Sequence, residues 1–224
     1  MKLEDYFKEW YKIIDTVELH KVIGQLKKVD LSTLCPHPNN IFKAFELCQY
    51  NELKVVFLGY DPYSQKDVAT GIMFGNKSST PEDKISPSLN ILKEACINFE
   101  IPHNRINFDV TLESWCKQGV LLLNSALTCE VGKTGCHTML WRPFISNFLK
   151  KLSYKESNLI YVLLGKNAQT FLPYINSKYN YIFKVDHPSY YARTNTSMSS
   201  KLFIDINKIL KDNYGTSIKW FQEY

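Results

Sequence analysis

Four short apolar runs dominate the folding options of this 224-residue chain: Val55-Val56-Phe57-Leu58, Val120-Leu121-Leu122-Leu123, Leu159 to Leu164, and Tyr181 to Val185. Each is too short for a buried helix, and most carry β-branched or aromatic residues, so each reads as a strand. The segments between them carry apolar residues at helical spacing, as in Trp141 to Leu152 and Leu202 to Leu210. Strands alternating with helices predict an α/β fold: a single three-layer α/β/α domain over residues 1–224 around a central, mainly parallel four-stranded sheet.

Other helices are expected over 3–26 (one or two), 42–48 with Asn39 or Asn40 as cap, after Ser86-Pro87-Ser88, within 110–116 and over 168–174. Thr128 to Thr138 reads as a polar, glycine-containing loop. With 45% apolar and 22% charged residues the chain is of ordinary globular type. The net charge of +5 suits a polyanionic partner and suits a mildly basic surface equally well. Six cysteines show no CxxC spacing, so neither a zinc ribbon nor a clustered iron–sulfur motif is indicated. No apolar run approaches a membrane span, and residues 1–10 lack a signal peptide's apolar block. The expectation is a reduced intracellular, cytoplasmic protein of a bacterium or of a virus-infected cell, with a nuclear location also open.

In a parallel sheet the carboxyl ends of the strands share one side, and ligands bind there. The residues just beyond those ends are Asp61, Asn124, Gly165 and His187. An acid, an amide and an imidazole therefore gather at one edge. Asn124 offers a donor and an acceptor to a heterocyclic edge. His187 can donate to a developing oxyanion or exchange a proton, and Asp61 can orient water or stabilise a nearby cation. Together they fit hydrolysis of a bond to a planar heterocycle. Taken singly, each has a commoner structural role: Asp61 as a turn former before proline, Asn124 as a turn residue or cap, His187 as a loop histidine, Phe74 as core. Their joint placement is what points to chemistry.

The residues around these positions resemble the family 1 uracil-DNA glycosylases. Gly59-Tyr60-Asp61-Pro62-Tyr63-Ser64 is similar to that family's G-Q-D-P-Y-H, and its base-stacking phenylalanine falls on Phe74 in Gly71-Ile72-Met73-Phe74. Ser86-Pro87-Ser88-Leu89 resembles P-P-S-L, Gln118 to Asn124 matches Q-G-V-L-L-L-N, and His187-Pro188-Ser189 matches the H-P-S that opens the DNA-intercalation loop. The resemblance implies a uracil flipped out of DNA, stacked on Phe74 and read by Asn124, with Tyr63 excluding thymine's methyl group and Tyr60 offering backbone donors. It implies Asp61 and His187 as the catalytic pair, and Ser88, Ser189 and the wedge residue Tyr191 on the DNA. No metal and no cofactor is implied. The expected partners are uracil-containing DNA, single- or double-stranded, and a proteinaceous inhibitor of this enzyme type; a monomer is expected.

The chain departs from the family pattern at Tyr60 (for Gln), Ser64 (for His), Tyr191 (for the wedge leucine), and Ala192 and Cys136 (each for Ser). Fewer hydroxyls on phosphate imply weaker or differently salt-dependent binding, and a tyrosine wedge that stacks on bases suggests a shift toward single-stranded substrate. Two alternatives are a non-catalytic DNA-binding or replication-accessory protein on the same fold, and a hydrolase of small nucleotides, which would need no intercalation loop.

Overall fold

The structure is a computed structural model that describes residues 2–97 and 106–223. In chain order the strands are β1 (Leu34–Cys35), β2 (Val55–Gly59), β3 (Ile106–Asn107), β4 (Val120–Asn124), β5 (Cys129–Glu130), β6 (Ile160–Leu164), β7 (Tyr181–Val185) and β8 (Gln222–Glu223). The α-helices are α1 (Leu3–Phe7), α2 (Thr16–Leu26), α3 (Lys43–Leu47), α4 (Pro87–Cys96), α5 (Glu113–Cys116), α6 (Thr138–Lys155), α7 (Gly165–Gln169), α8 (Pro188–Thr194) and α9 (Lys201–Tyr214).

All four apolar runs are strands of one parallel sheet in the order β4-β2-β6-β7. Register pairs Gly59 with Asn124 and Leu164 with Val185, so the strands finish level with one another. Val55 to Leu58, Val120, Leu121 and Ile160 to Leu164 have no accessible surface. Covering both faces explains why these strands lack a polar alternation. Each such side chain contributes roughly 1.5–3 kcal/mol through burial. Helices flank the sheet in the expected three-layer arrangement.

Two aromatic clusters fill the space between layers. Phe57 of β2 lies 6.4 Å from the rings of both Trp115 (α5) and Trp220, and Phe203 of α9 lies 5.0 Å from Trp220. The other joins Trp10, Phe45 of α3 and Phe148 of α6, with Trp10 Nε1 donating to the Cys48 carbonyl at 2.7 Å. Asp15 caps α2 by accepting from the Glu18 N–H at 3.1 Å, and its second oxygen accepts from Asn147 of α6 at 3.1 Å. One side chain thus satisfies an orphan donor and ties two helices together.

The structure differs from the sequence reading at several points. Residues 188–194, expected to open a loop, form helix α8, with His187 as its N-cap and Pro188 at its first position. Proline suits that position, because it lacks the N–H that would be unpaired there. Neither Asn39 nor Asn40 caps α3; both lie in a 3₁₀ turn, Pro38–Asn40, which His37 caps. The 128–138 stretch contributes β5, paired antiparallel with β1. Among the described residues no helix is long and apolar enough to cross a membrane.

Candidate active site

Where β2 ends, its partner β4 continues to hold the chain. The Gly59 carbonyl accepts from the Ser125 N–H at 3.2 Å, and the Tyr60 carbonyl accepts from the Ala126 N–H at 3.0 Å and Ser125 Oγ at 2.8 Å. This clamp sets Asp61 immediately beyond the sheet. Its Oδ2 accepts from the Gly135 N–H at 2.6 Å. Gly135 is left-handed (φ 74°) and packs under the Tyr60 phenol, where a β-carbon would collide with the hydroxyl. Only glycine meets both requirements. The 130–137 turn is fastened to the Asp61 segment again through Gly132 N–H to Ser64 O (2.9 Å) and through Ser64 Oγ against Thr134 Oγ1 (3.2 Å).

Burial raises the Asp61 pKa above the ordinary carboxylate value, and the Gly135 N–H opposes that rise by favouring the charged form. The carboxylate is therefore partly desolvated yet held by one short, charge-assisted hydrogen bond.

His187 stands past the end of β7. The Ser189 N–H donates to its Nδ1 at 3.2 Å, and Ser189 Oγ lies 2.8 Å from the same atom. A nitrogen that accepts from a backbone N–H carries no proton of its own, so Nε2 is the ring's donor in the neutral form. Burial lowers the His187 pKa, which keeps the ring neutral near pH 7. Gly165, left-handed at φ 83°, starts α7 directly against it; a β-carbon there would sit 2.8 Å from His187 Cβ.

Phe74 completes the group. Its backbone is left-handed (φ 63°), a strained state for an aromatic residue, and its carbonyl accepts from the Tyr63 hydroxyl at 3.3 Å. The Phe74 ring lies 5.3 Å from the His187 ring, edge to face. Burial pushes the Tyr63 phenol up to about 12, so it remains neutral.

One cavity of about 400 Å³ joins these pieces, lined by Tyr60, Asp61, Tyr63, Phe74, Asn124, Ser88, His187 and Ser189. Eight of the nine residues singled out from sequence thus meet in one place. Tyr191 does not line it. It is half-buried in α8 with its ring 5.5 Å from Tyr190, and Tyr190 is the more exposed of the pair. Ser88 is buried in the first turn of α4, and Ser189, exposed at the start of α8, hydrogen-bonds His187. Sequence reasoning missed Gly135, Thr134, Lys166 and Asn167, of which the last three also line the cavity. Lys166 and Asn167 follow the strand-end Gly165 and could have been found there. Gly135 is 74 positions from its partner, and no local pattern marks it.

The arrangement is a slot with a half-buried carboxylate, a neutral imidazole, an aromatic ring and a primary amide on its walls. Residues 45–211 match the family described as the uracil DNA glycosylase superfamily. A uracil-DNA glycosylase of Fusobacterium nucleatum is 35% identical over 222 residues, covering 97% of this chain and 91% of the relative. One from Buchnera aphidicola is 38% identical over 204 residues, covering 89% and 90%. Among solved structures, a variant of mimivirus UNG in complex with UGI superposes with a TM-score of 0.80 at 25% identity, covering 95% of this chain and 88% of that one. The UNG of Nitratifractor salsuginis shares the fold, with a TM-score of 0.60 at 18% identity over 91% and 89% of the two chains. The architecture of the slot and these likenesses agree, and the chain belongs to the uracil-DNA glycosylase superfamily.

Proposed function

We propose that this chain is a uracil-DNA glycosylase of base excision repair, hydrolysing the N-glycosidic bond of uracil extruded from DNA and leaving an abasic site. The observation that carries the reading is the meeting of Asp61 and His187 on one cavity beside the Phe74 ring. Extrusion costs a few kcal/mol of stacking and pairing, offset by contacts in the slot. Phe74 stacks on the ring. The Asn124 amide pairs with the uracil edge and disfavours cytosine, which presents a donor where uracil presents an acceptor. Tyr63 occupies the space that thymine's methyl group would need.

Breaking the N1–C1′ bond leaves positive charge on the sugar and negative charge on the base. Asp61, ionised, stabilises the sugar cation and orients the attacking water. His187, neutral with Nδ1 satisfied by Ser189, donates from Nε2 to the uracil oxygen as charge builds there. A donor of this kind, fixed before the reaction, acts in a desolvated site where it needs no reorganisation. Asp61 works ionised and His187 works as the neutral imidazole, the form that its lowered pKa favours.

Lys166 and Ser189, exposed at the rim, and Ser88 on the cavity wall are the proposed phosphate contacts, with α8, through Tyr190 and Tyr191, against the bases. The chain is proposed to act as a monomer on single- or double-stranded DNA and to accept an inhibitor protein of the UGI type over the same rim. Release of free uracil from an oligonucleotide, with matched cytosine and thymine oligonucleotides as controls, tests the reading. Uracil alone should be released, and Asp61→Asn should lower the rate at least ~100-fold with folding retained. No uracil release by the folded wild-type chain, or an Asp61→Asn rate equal to wild type, overturns it.

A further inference from the structure

In the 130–137 turn whose Gly135 holds Asp61 lies a second cluster of chemistry-bearing side chains that catalysis does not use. Glu130 (β5), Cys136 and His137 bring a carboxylate oxygen, Sγ and a ring nitrogen within 4.8 Å of one another. His137 Nε2 is 3.8 Å from Glu130 Oε1. Four ligands around a tetrahedral zinc ion lie about 3.3–3.7 Å apart, given metal–ligand bonds of roughly 2.0–2.3 Å. Side-chain shifts of a few tenths of an ångström to about 1 Å therefore convert this cluster into a coordination sphere.

The surroundings are those of a ligand set. His137 is 7% exposed, and its Nδ1 lies 3.0 Å from Thr128 Oγ1, which has no accessible surface. Thr128 Oγ1 also accepts from Trp141 Nε1 at 2.7 Å and keeps a lone pair for an Nδ1–H. An imidazole anchored through one nitrogen presents the other as a ligand, the outer-shell arrangement typical of metal-bound histidine. Cys136 is exposed, whereas the other five cysteines are buried, and its Sγ accepts from the Glu130 N–H at 3.3 Å, which holds the sulfur beside the Glu130 side chain. Lys133 Nζ pairs with Glu130 Oε2 at 2.8 Å and so leaves Oε1 for an ion; Lys133 itself is solvent-exposed and can swing away.

The geometry points to a divalent-cation site of zinc type formed by Glu130, Cys136 and His137, with a fourth position open to water. Thiolate with imidazole selects a borderline-soft ion over magnesium or calcium. Binding forms metal–sulfur, metal–nitrogen and metal–oxygen bonds and releases the Cys136 thiol proton to solvent. The ion would stitch together the two ends of the 130–137 turn. Gly135, whose N–H holds Asp61, is inside that turn, next to two of the ligands. The site is thus a brace for the turn, separate from the glycosidic step.

Cobalt(II) chloride titrated into the reduced, metal-stripped full chain tests this without reference to glycosylase rate. The wild type should bind one equivalent and develop a thiolate-to-cobalt charge-transfer band with tetrahedral visible absorption, and zinc should displace it. Cys136→Ser, at an exposed position, should lose the charge-transfer band; Glu130→Gln should weaken cobalt binding at least tenfold. Absence of a thiolate band at stoichiometric cobalt overturns the proposal. So does an undiminished band in Cys136→Ser, which would place the metal on another thiol, or unchanged affinity in Glu130→Gln.

Discussion

Replacing Gly165 by alanine perturbs catalysis by displacing His187 while leaving every catalytic side chain in place in the sequence. The new β-carbon would lie 2.8 Å from His187 Cβ, while ordinary contact begins at 3.4 Å. Relief requires the two to separate by about 0.6 Å, and the neighbour that can yield is the imidazole at the open end of β7 rather than the closed end of the sheet. A misplacement of ~1 Å in a positioned catalytic group costs on the order of 100-fold. A shift somewhat smaller should lower kcat by roughly 10- to 100-fold. The left-handed backbone at Gly165 (φ 83°) adds a stability cost of about 1–2 kcal/mol for a residue with a side chain. In a chain of this size that lowers Tm by roughly 2–8 °C, leaving the protein folded at assay temperature. Single-turnover cleavage of a uracil oligonucleotide, with thermal unfolding of the same preparation, separates the two effects. The same substitution in a His187→Ala background should change kcat little, because the displaced donor is already gone. A folded Gly165→Ala protein with wild-type kcat, or an equal loss in both backgrounds, would refute the positioning argument.

Further outcomes follow from the slot itself. Tyr63→Ala opens the space beneath the Phe74 carbonyl and should reduce discrimination between uracil and thymine at least ~10-fold; uracil cleavage without any gain on thymine would refute the steric role. The pH profile of kcat/KM should have an acid limb only. His187 is held below its ordinary value of 6.5 and must be neutral, so the rate should stay level as pH falls from 8 to 6.5 and decline below that as His187 and Asp61, which lies above its ordinary 3.8, take up protons. A rate that rises as pH falls through 6.5 would mean that the protonated imidazole is the active form.

Much of the molecule was legible because its sheet is parallel. Strands buried on both faces must be apolar throughout, so 55–58, 120–123 and 159–164 stand out; 181–185, the half-exposed edge strand, keeps three apolar residues beside Tyr181 and Lys184, and a parallel sheet puts the residues after all four on one edge. That geometry alone gathered Asp61, Asn124 and His187. What escaped was encoded in tertiary context. The pairs β1–β5 and β3–β8 have two residues per strand, too few to show any period. Helix α8 has a polar sequence, Ser-Tyr-Tyr-Ala-Arg-Thr, with little apolar periodicity, although the cap His187 and Pro188 announce its start. Motif matching could place Tyr191 opposite a wedge residue but could not foresee that α8 half-buries it. Nor could it foresee the Ser189–His187 hydrogen bond that orients the ring. The Gly135 N–H is found only by folding the chain. The Glu130-Cys136-His137 cluster likewise has no CxxC spacing to announce it.

The central claim is that a neutral imidazole, oriented by Ser189, stabilises the departing uracil anion opposite the Asp61 carboxylate. Single-turnover cleavage of a uracil-containing oligonucleotide by His187→Ala, at saturating enzyme and pH 7.5, tests it most directly. Loss of a fixed oxyanion donor should lower the rate by about 100- to 1000-fold with little change in Tm. A rate within about threefold of wild type, less than ~1 kcal/mol of transition-state stabilisation, would contradict it.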